Sequence, residues 1–328
     1  MTLPASGVIY LSQVDTELSR TATAAIDMNE SAVRTLFGVS SGTIYMSNGY
    51  GKSNAGPPVT ITISANVTNF NAYNNRSASQ HGTAVTVTGG PYATGSTVTV
   101  VVNSGVYVGS TSNATYSFDT GTGWNAADII NVTNNGYILG IGGAGDSGAG
   151  GPALRAQCAV TVTNNGTIGG GGGGGGVGQW VYANGNTGYS AGGAGGSGGQ
   201  GYPGGVAGAP QGYVAGSAGG SGGRPLYGND NQQAGYAGSV TAPGALNPYC
   251  GLCYVYYTNS GYFYGGYGGA GGALGQPGTA GTAGYKQSAV ASITQWAAAG
   301  AGGAAGACTN GNANITWAVA GIRAGTLG

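Results

Sequence analysis

The sequence predicts a mainly β chain whose second half is a bundle of packed glycine-rich helices of the polyglycine-II (polyproline-II-like) kind. Three observations lead there. Of the 74 glycines in 328 residues, 16 lie in residues 1–140 and 58 in residues 141–328, so two regions obey different physics. In the second region the glycines keep a three-residue phase, most strictly at Gly266, Gly269, Gly272, Gly275 and Gly278, and also at Gly192, Gly195 and Gly198. Ahead of them, Val/Thr/Ile-rich runs alternate with period two, as half-buried strands do.

Residues 1–55 read as a small α/β unit with seven of the chain's 16 charged residues. SGVIYLSQ at 6–13 recurs as SGTIYMSN at 41–48, and each apolar centre predicts a short strand. Between them, Asp27 with Glu30 matches a capping box and Gly38 a helix stop, which predicts a helix from Met28 to Phe37. Residues 56–140 form a β-rich spacer, with strands at 59–64, 83–89 and 96–108. INVTNNGYILGIGG (130–143) then resembles AVTVTNNGTIGGGG (159–172), and NITWAVAGIRAGTLG (314–328) is a looser third copy. The three copies should pair as neighbouring rungs and clamp the ends of the glycine-rich region, residues 141–328.

Glycine and proline make up 85 of 328 residues, a proportion at which disorder is the usual reading. A flexible linker has no reason to keep phase, whereas a helix with three residues per turn does. Such a helix makes no internal hydrogen bonds, so its N–H and C=O groups reach neighbouring chains. Bare glycine rows let those chains approach. Tracts at about 142–151, 169–178, 191–208, 216–223, 265–284 and 300–306 would run back and forth. Collagen is the poorer match, because the tracts are short and prolines number 11.

Aromatic loops join the tracts. Tyr and Trp give rigid contact area, and Ser, Gly and Asn give adaptable hydrogen bonds. Trp180, Tyr182, Tyr189, Tyr227, Tyr236, Tyr285 and Trp296 are the candidate contact residues. The competing reading is that tyrosines merely cap the bundle. Counting tracts places loops 179–189, 224–236 and 285–299 at the distal end and 245–264 at the proximal end.

Composition narrows the chemistry. Eight basic and eight acidic residues cancel, with no basic patch for nucleic acid. No run reaches the length of a membrane span, and the N-terminus lacks the pattern of a secretory signal. His81 is the single histidine, and paired carboxylates for glycan cleavage could come only from Asp119 and Asp128, so catalysis is not expected. Cys250 and Cys253 form a CxxC that could join Cys158 and Cys308 on a metal, pair as disulfides or stay free. No cofactor is implied.

These residues resemble the tail-fibre and receptor-binding proteins of tailed bacteriophages. SGVIYLSQVDTELS…ESAVRTLFG…SGTIYMSNGYGKSN is similar to an opening segment of such proteins. VTNNGTIGGGGGGGG with the final ITWAVAGIRAGTLG is similar to their glycine-rich C-terminal domains. The interrupted tracts resemble the distal adhesins of T-even-type phages, in which packed polyglycine-II helices carry variable loops. The likeness covers residues 1–53 and about 130–328. It implies a virion tail protein, without catalytic residues, that binds an outer-membrane protein or glycan on a bacterium and meets other tail proteins through residues 1–55. The T-even adhesin lacks such an N-terminal unit. Its presence here suggests direct attachment to the particle, with a homotrimer as one state to test. The rival class is a purely structural spacer or decoration of the tail.

Overall fold

A computed structural model describes residues 2–18, 20–183, 186–191, 194, 196–207, 228–229, 235–245, 252–255, 261–286 and 293–328. The N-terminal residues carry a core of their own, in which Leu3, Ile9, Val14, Val33, Leu36 and Phe37 are buried together. Two helices supply most of it, α1 (Leu11–Glu17) and α2 (Ser31–Phe37).

The strands expected at 6–13 and 41–48 do not form. Each repeat runs extended to a tyrosine and then turns helical, into α1 after Tyr10 and into a 3-10 turn, Met46–Gly49, after Tyr45. The Tyr10 N–H donates to Gln13 Oε1 at 2.8 Å and the Tyr45 N–H to Asn48 Oδ1 at 2.7 Å. The repeat therefore encodes a cap, because the amide three residues on satisfies a backbone donor that a strand partner would otherwise need. Helix α2 also starts three residues later than expected. Asp27 accepts from the Asn29 N–H at 2.8 Å, closing a local turn, and the extended Glu30 becomes the N-cap. Gly38 ends the helix in the left-handed region at φ 72°.

Strands from residues 59–169 and 309–324 wind into a three-sided parallel β-solenoid. Its first side stacks β1 (Val59–Ile63), β5 (Thr97–Val102), β8 (Ile129–Asn134), β11 (Val160–Asn164) and β21 (Ile315–Val319), with β4 (Val85–Gly89) antiparallel on β1. The second side stacks β2 (Val67–Thr68), β6 (Tyr107–Gly109), β9 (Tyr137–Leu139), β12 (Thr167–Gly169) and β22 (Ile322–Ala324). The third stacks β3 (Phe70–Asn71), β7 (Phe118–Asp119), β10 (Leu154–Arg155) and β20 (Thr309–Asn310). The three sequence repeats are consecutive rungs, as expected.

Alternation explains the solenoid core. Ile61, Val100 and Val132 are buried from the first side, Val108, Ile138 and Ile168 from the second, and Phe70, Phe118 and Leu154 from the third. At the corner between the first two sides the first Asn of each Asn-Asn-Gly turns inward. Asn134 Nδ2 donates to Asn164 Oδ1 at 2.8 Å, and Asn164 Nδ2 to the Ala320 carbonyl at 2.9 Å. Both are fully buried, and the ladder meets the rule that buried amides must be partnered.

Each glycine-rich insertion leaves the solenoid between its second and third sides, at 140–151 between β9 and β10 and at 170–308 between β12 and β20. The central segment, 170–179, has six neighbours. Its N–H groups reach Gly151 and Gly148 from positions 171 and 174, Gln200, Ser197 and Ala194 from 172, 175 and 178, and Gln276, Thr279 and Thr282 from 173, 176 and 179. Its carbonyls accept from Gly143 and Asp146, from Gly272, Gly269 and Gly266, and from Gly306, Gly303 and Gly300. Bonds therefore repeat every three residues in each direction, and successive segments alternate in direction.

This explains the grading of glycine content. Residues 169–176 are glycine throughout because all three rows of 170–179 are enclosed. A Cβ at Gly173 would lie 2.5 Å from the Gly303 carbonyl carbon, one at Gly174 2.5 Å from that of Ala144, and one at Gly175 2.4 Å from that of Gly269. Segment 265–274 has glycine in two rows of three. Segment 276–284, at the edge, has it in one row, and its Thr279, Ala280, Thr282 and Ala283 are exposed.

Candidate functional site

The direction of the central segment defines two ends. Gly170 bonds Ala324 and Gly275 beside the last solenoid rung, whereas Gln179 bonds Thr282 and Gly266 far from it. The turn at Tyr202 sits on the solenoid, where the Ser110 N–H donates to the Tyr202 carbonyl at 3.2 Å. Gly275, at φ 65°, packs against the backbone of Gly325.

At the opposite end two small sheets gather the loops. One pairs β13 (Trp180–Ala183) with β14 (Asn186–Ala191) and β19 (Ile293–Ala297). The other runs β15 (Gly228–Asn229), β16 (Leu252–Val255), β17 (Gly261–Tyr264) and β18 (Tyr285–Lys286), all antiparallel. β14 lies beside β15 and β16, so the two sheets adjoin.

This corrects the expected position of loop 245–264, which stands at the distal end with the other three. The tract count failed because 142–151, 191–208 and 265–284 each double back, at Asp146–Ser147, at Tyr202–Pro203 and at Gly275. Each reversal adds a pass. Asp146 and Ser147 take positive φ values of 64° and 73°.

Trp180 and Tyr182 fall on β13, Tyr189 on β14, Trp296 on β19 and Tyr285 on β18. Tyr182 is in register with Ser190 and Thr294, and Trp180 with Ala297. Tyr227, Gly192 and Gly195 lie outside the described residues. Tyr236 is 41% exposed on the flank of the bundle, where its carbonyl accepts from the Gly198 N–H at 2.8 Å. Tyr285 is 43% exposed and stacks on Tyr264, with ring centroids 4.5 Å apart and planes 11° apart. Tyr267 approaches Tyr285 edge-on at 6.3 Å. Sequence reasoning passed over Tyr264 and Tyr267 because only strand pairing brings them to Tyr285. Of the scaffold glycines, Gly266, Gly269 and Gly272 donate into the central segment, Gly278 donates to Gly303 at 3.0 Å, and Gly275 forms a turn.

Asp119, Asp128, His81, Cys158 and Cys308 belong to the solenoid. Asp119 accepts from Arg155, from the Gly121 N–H at 2.9 Å and from Gln157 at 2.8 Å. Burial alone would raise its pKa, but these partners outweigh burial and hold it below the usual carboxylate value. Asp128 accepts from the Tyr92 hydroxyl at 2.6 Å and the Gly95 N–H at 2.8 Å. Burial lowers the pKa of His81, which packs on Phe70 at 5.8 Å. Cys158 and Cys308 are free thiols, and burial pushes Cys308 up to about 11. No cluster of three or more metal-ligating side chains occurs among the described residues. Cys253 lies on β16, and Cys250 falls outside the described residues.

A solenoid base thus carries a glycine-rich bundle, and strands from four separate loops gather in two adjoining sheets at its far end. The chain belongs to the phage tail fibre adhesin Gp38 family, whose model matches residues 58–328. That membership makes it a phage adhesin of the virion tail. No curated protein matches the chain. Among solved structures, the chain is similar to the gp37-gp38 adhesin tip complex of the bacteriophage S16 long tail fiber, at 20% identity and a TM-score of 0.42, over 90% of this chain and 92% of that one.

Proposed function

We propose that this adhesin binds a bacterial surface receptor, an outer-membrane protein or a glycan, through the aromatic loops at the distal end of its bundle. The observation that carries the reading is the convergence of four separate loops into two adjoining sheets there. Display of this kind needs a stiff support. The three-residue periodicity of the inter-segment bonds supports polyglycine-II helices as that support. Residues 1–55, with their own core, attach the protein to other tail proteins, residues 56–140 act as a spacer together with the solenoid rungs at 154–169 and 309–324, and the glycine-rich passes within 141–328 present the loops. The protein binds and does not cleave, since Asp119 and Asp128 are engaged in structural bonds.

The test adds purified protein to host cells before the parent phage. Blocked adsorption is expected, and so is its loss in the Tyr285→Ala and Trp180→Ala variants. Loop variants that adsorb and block like the parent would leave the structural role, a spacer or decoration, in its place.

A further inference from the structure

The solenoid carries a groove that the distal reading leaves unused. It runs along the corner between the first and second sides, has a volume of about 340 Å³, and is lined by Ser104, Asn135, Asn165, Tyr137, Thr167 and Ile322 over a floor of glycine backbone. We propose that this groove is a second binding site, for a neutral saccharide chain.

The corner repeats in successive rungs as Ser104–Gly105, Asn135–Gly136, Asn165–Gly166 and Ala320–Gly321. Parallel strands lie ~4.8 Å apart, so the four corners span about 14 Å, room for about two to three pyranose rings. The second Asn of each Asn-Asn-Gly faces outward, unlike the buried first one. Asn165 Nδ2 donates to Asn135 Oδ1 at 2.9 Å. That bond leaves Asn135 Nδ2 available as a donor and Asn165 Oδ1 as an acceptor along the same corner. The two can meet two sugar hydroxyls, one accepting and one donating.

A ring platform borders the amides. Tyr202, Tyr107 and Tyr137 form a continuous stack, with centroids 5.2 Å and 4.6 Å apart. Tyr107, Tyr137, Thr167 and Ile322 are in register across β6, β9, β12 and β22. The rung after Tyr137 therefore offers a threonine instead of a fourth ring, and the end face of Tyr137 opens toward the groove. An apolar sugar face fits an aromatic face of this kind. None of the lining residues is charged, which disfavours phosphate or carboxylate ligands and favours a neutral glycan.

The test presents the full-length protein to an array of neutral bacterial cell-envelope oligosaccharides and compares variants. Tyr137→Thr copies the residue of the next rung and should preserve the fold. It should weaken binding roughly tenfold, the factor that corresponds to the loss of one stacking contact. Asn135→Ala should do the same, and Tyr137→Phe should bind like the parent. Tyr285→Ala should keep saccharide binding even where host adsorption falls, so failure here and failure of the distal site are read separately. The proposal is overturned by an array without any bound neutral oligosaccharide, or by binding that Tyr285→Ala removes and Tyr137→Thr leaves intact. It is equally overturned if groove variants keep full sugar binding but no longer join the tail, which would make the corner a protein contact.

Discussion

Gly174→Ala tests the packing of the bundle most directly. Gly174 donates to the Gly148 carbonyl at 2.7 Å and accepts from the Gly303 N–H at 2.7 Å. A Cβ there would lie 2.5 Å from the Ala144 carbonyl carbon, nearer still to its oxygen, and 3.1 Å from the Gly145 nitrogen. All three atoms are backbone, so no side chain can swing aside. Restoring an ordinary contact requires a separation of about 1.5 Å. Either 143–146 retreats and loses the bonds of Gly143 to Gly172 and Asp146 to Gly175, both 2.8 Å, or the central segment retreats and loses its own pair. Two backbone bonds opened away from water cost about 1–3 kcal/mol each, so the variant should lose about 2–6 kcal/mol. For a unit of this size that lowers the thermal midpoint by roughly 5–20 °C. Ala280→Val, on an exposed row of the edge segment, is the control and should stay within about 0.5 kcal/mol of the parent. Calorimetry or a circular-dichroism melt reads both. If Gly174→Ala melts with Ala280→Val, close inter-segment packing does not hold the bundle together.

Three further outcomes follow from the same contacts. Replacing Gly272 and Gly275 together by valine should abolish native folding, because a Cβ at Gly272 meets the Pro277 carbonyl oxygen at 2.6 Å and Gly275 holds φ 65°; a parent-like melt would contradict this. The folded-state pKa of Asp119 lies below its ordinary 3.8, so its contribution to stability is complete above that value and is lost as pH falls through the lower folded value. Asp119→Asn should flatten that part of the acid-denaturation curve, and an unchanged curve would show that Asp119 has no share in it. Cys308 is fully buried with its pKa up at about 11, so a thiol reagent at pH 8 should leave it unmodified until denaturant is added, and mass-spectrometric detection of native labelling at this residue would refute the assignment.

Much of the architecture was legible because it is written in periodicities. Period two in VTITI and TVTVVV marked solenoid strands, and the recurring Asn-Asn-Gly marked rungs. Period three in glycine marked the inter-segment rows, since only residues without a Cβ tolerate backbone at that distance. Other features depend on partners distant in sequence. The repeats at 6–13 and 41–48 have a strand-like composition, but Gln13 and Asn48 satisfy the tyrosine N–H groups locally and turn the chain helical. The reversals at Asp146–Ser147 and Gly275 lie inside tracts whose glycine phase runs on unbroken, so composition alone counted too few passes.

The sequence by itself determined the materials: alternating strands, glycine rows matched to the number of enclosed sides, and most aromatic residues of the second half at the joins. Only the tertiary structure decided where those joins meet. β16 and β17 pair with β15 and β18, and so bring Tyr264 against Tyr285 and all four loops to one end. The physical reason is that a glycine segment has hydrogen-bonding capacity in three directions and nothing in its own residues to choose a neighbour. The choice is made by the solenoid, which fixes where the first and last segments leave and return, and by the turns, which fix how many passes lie between.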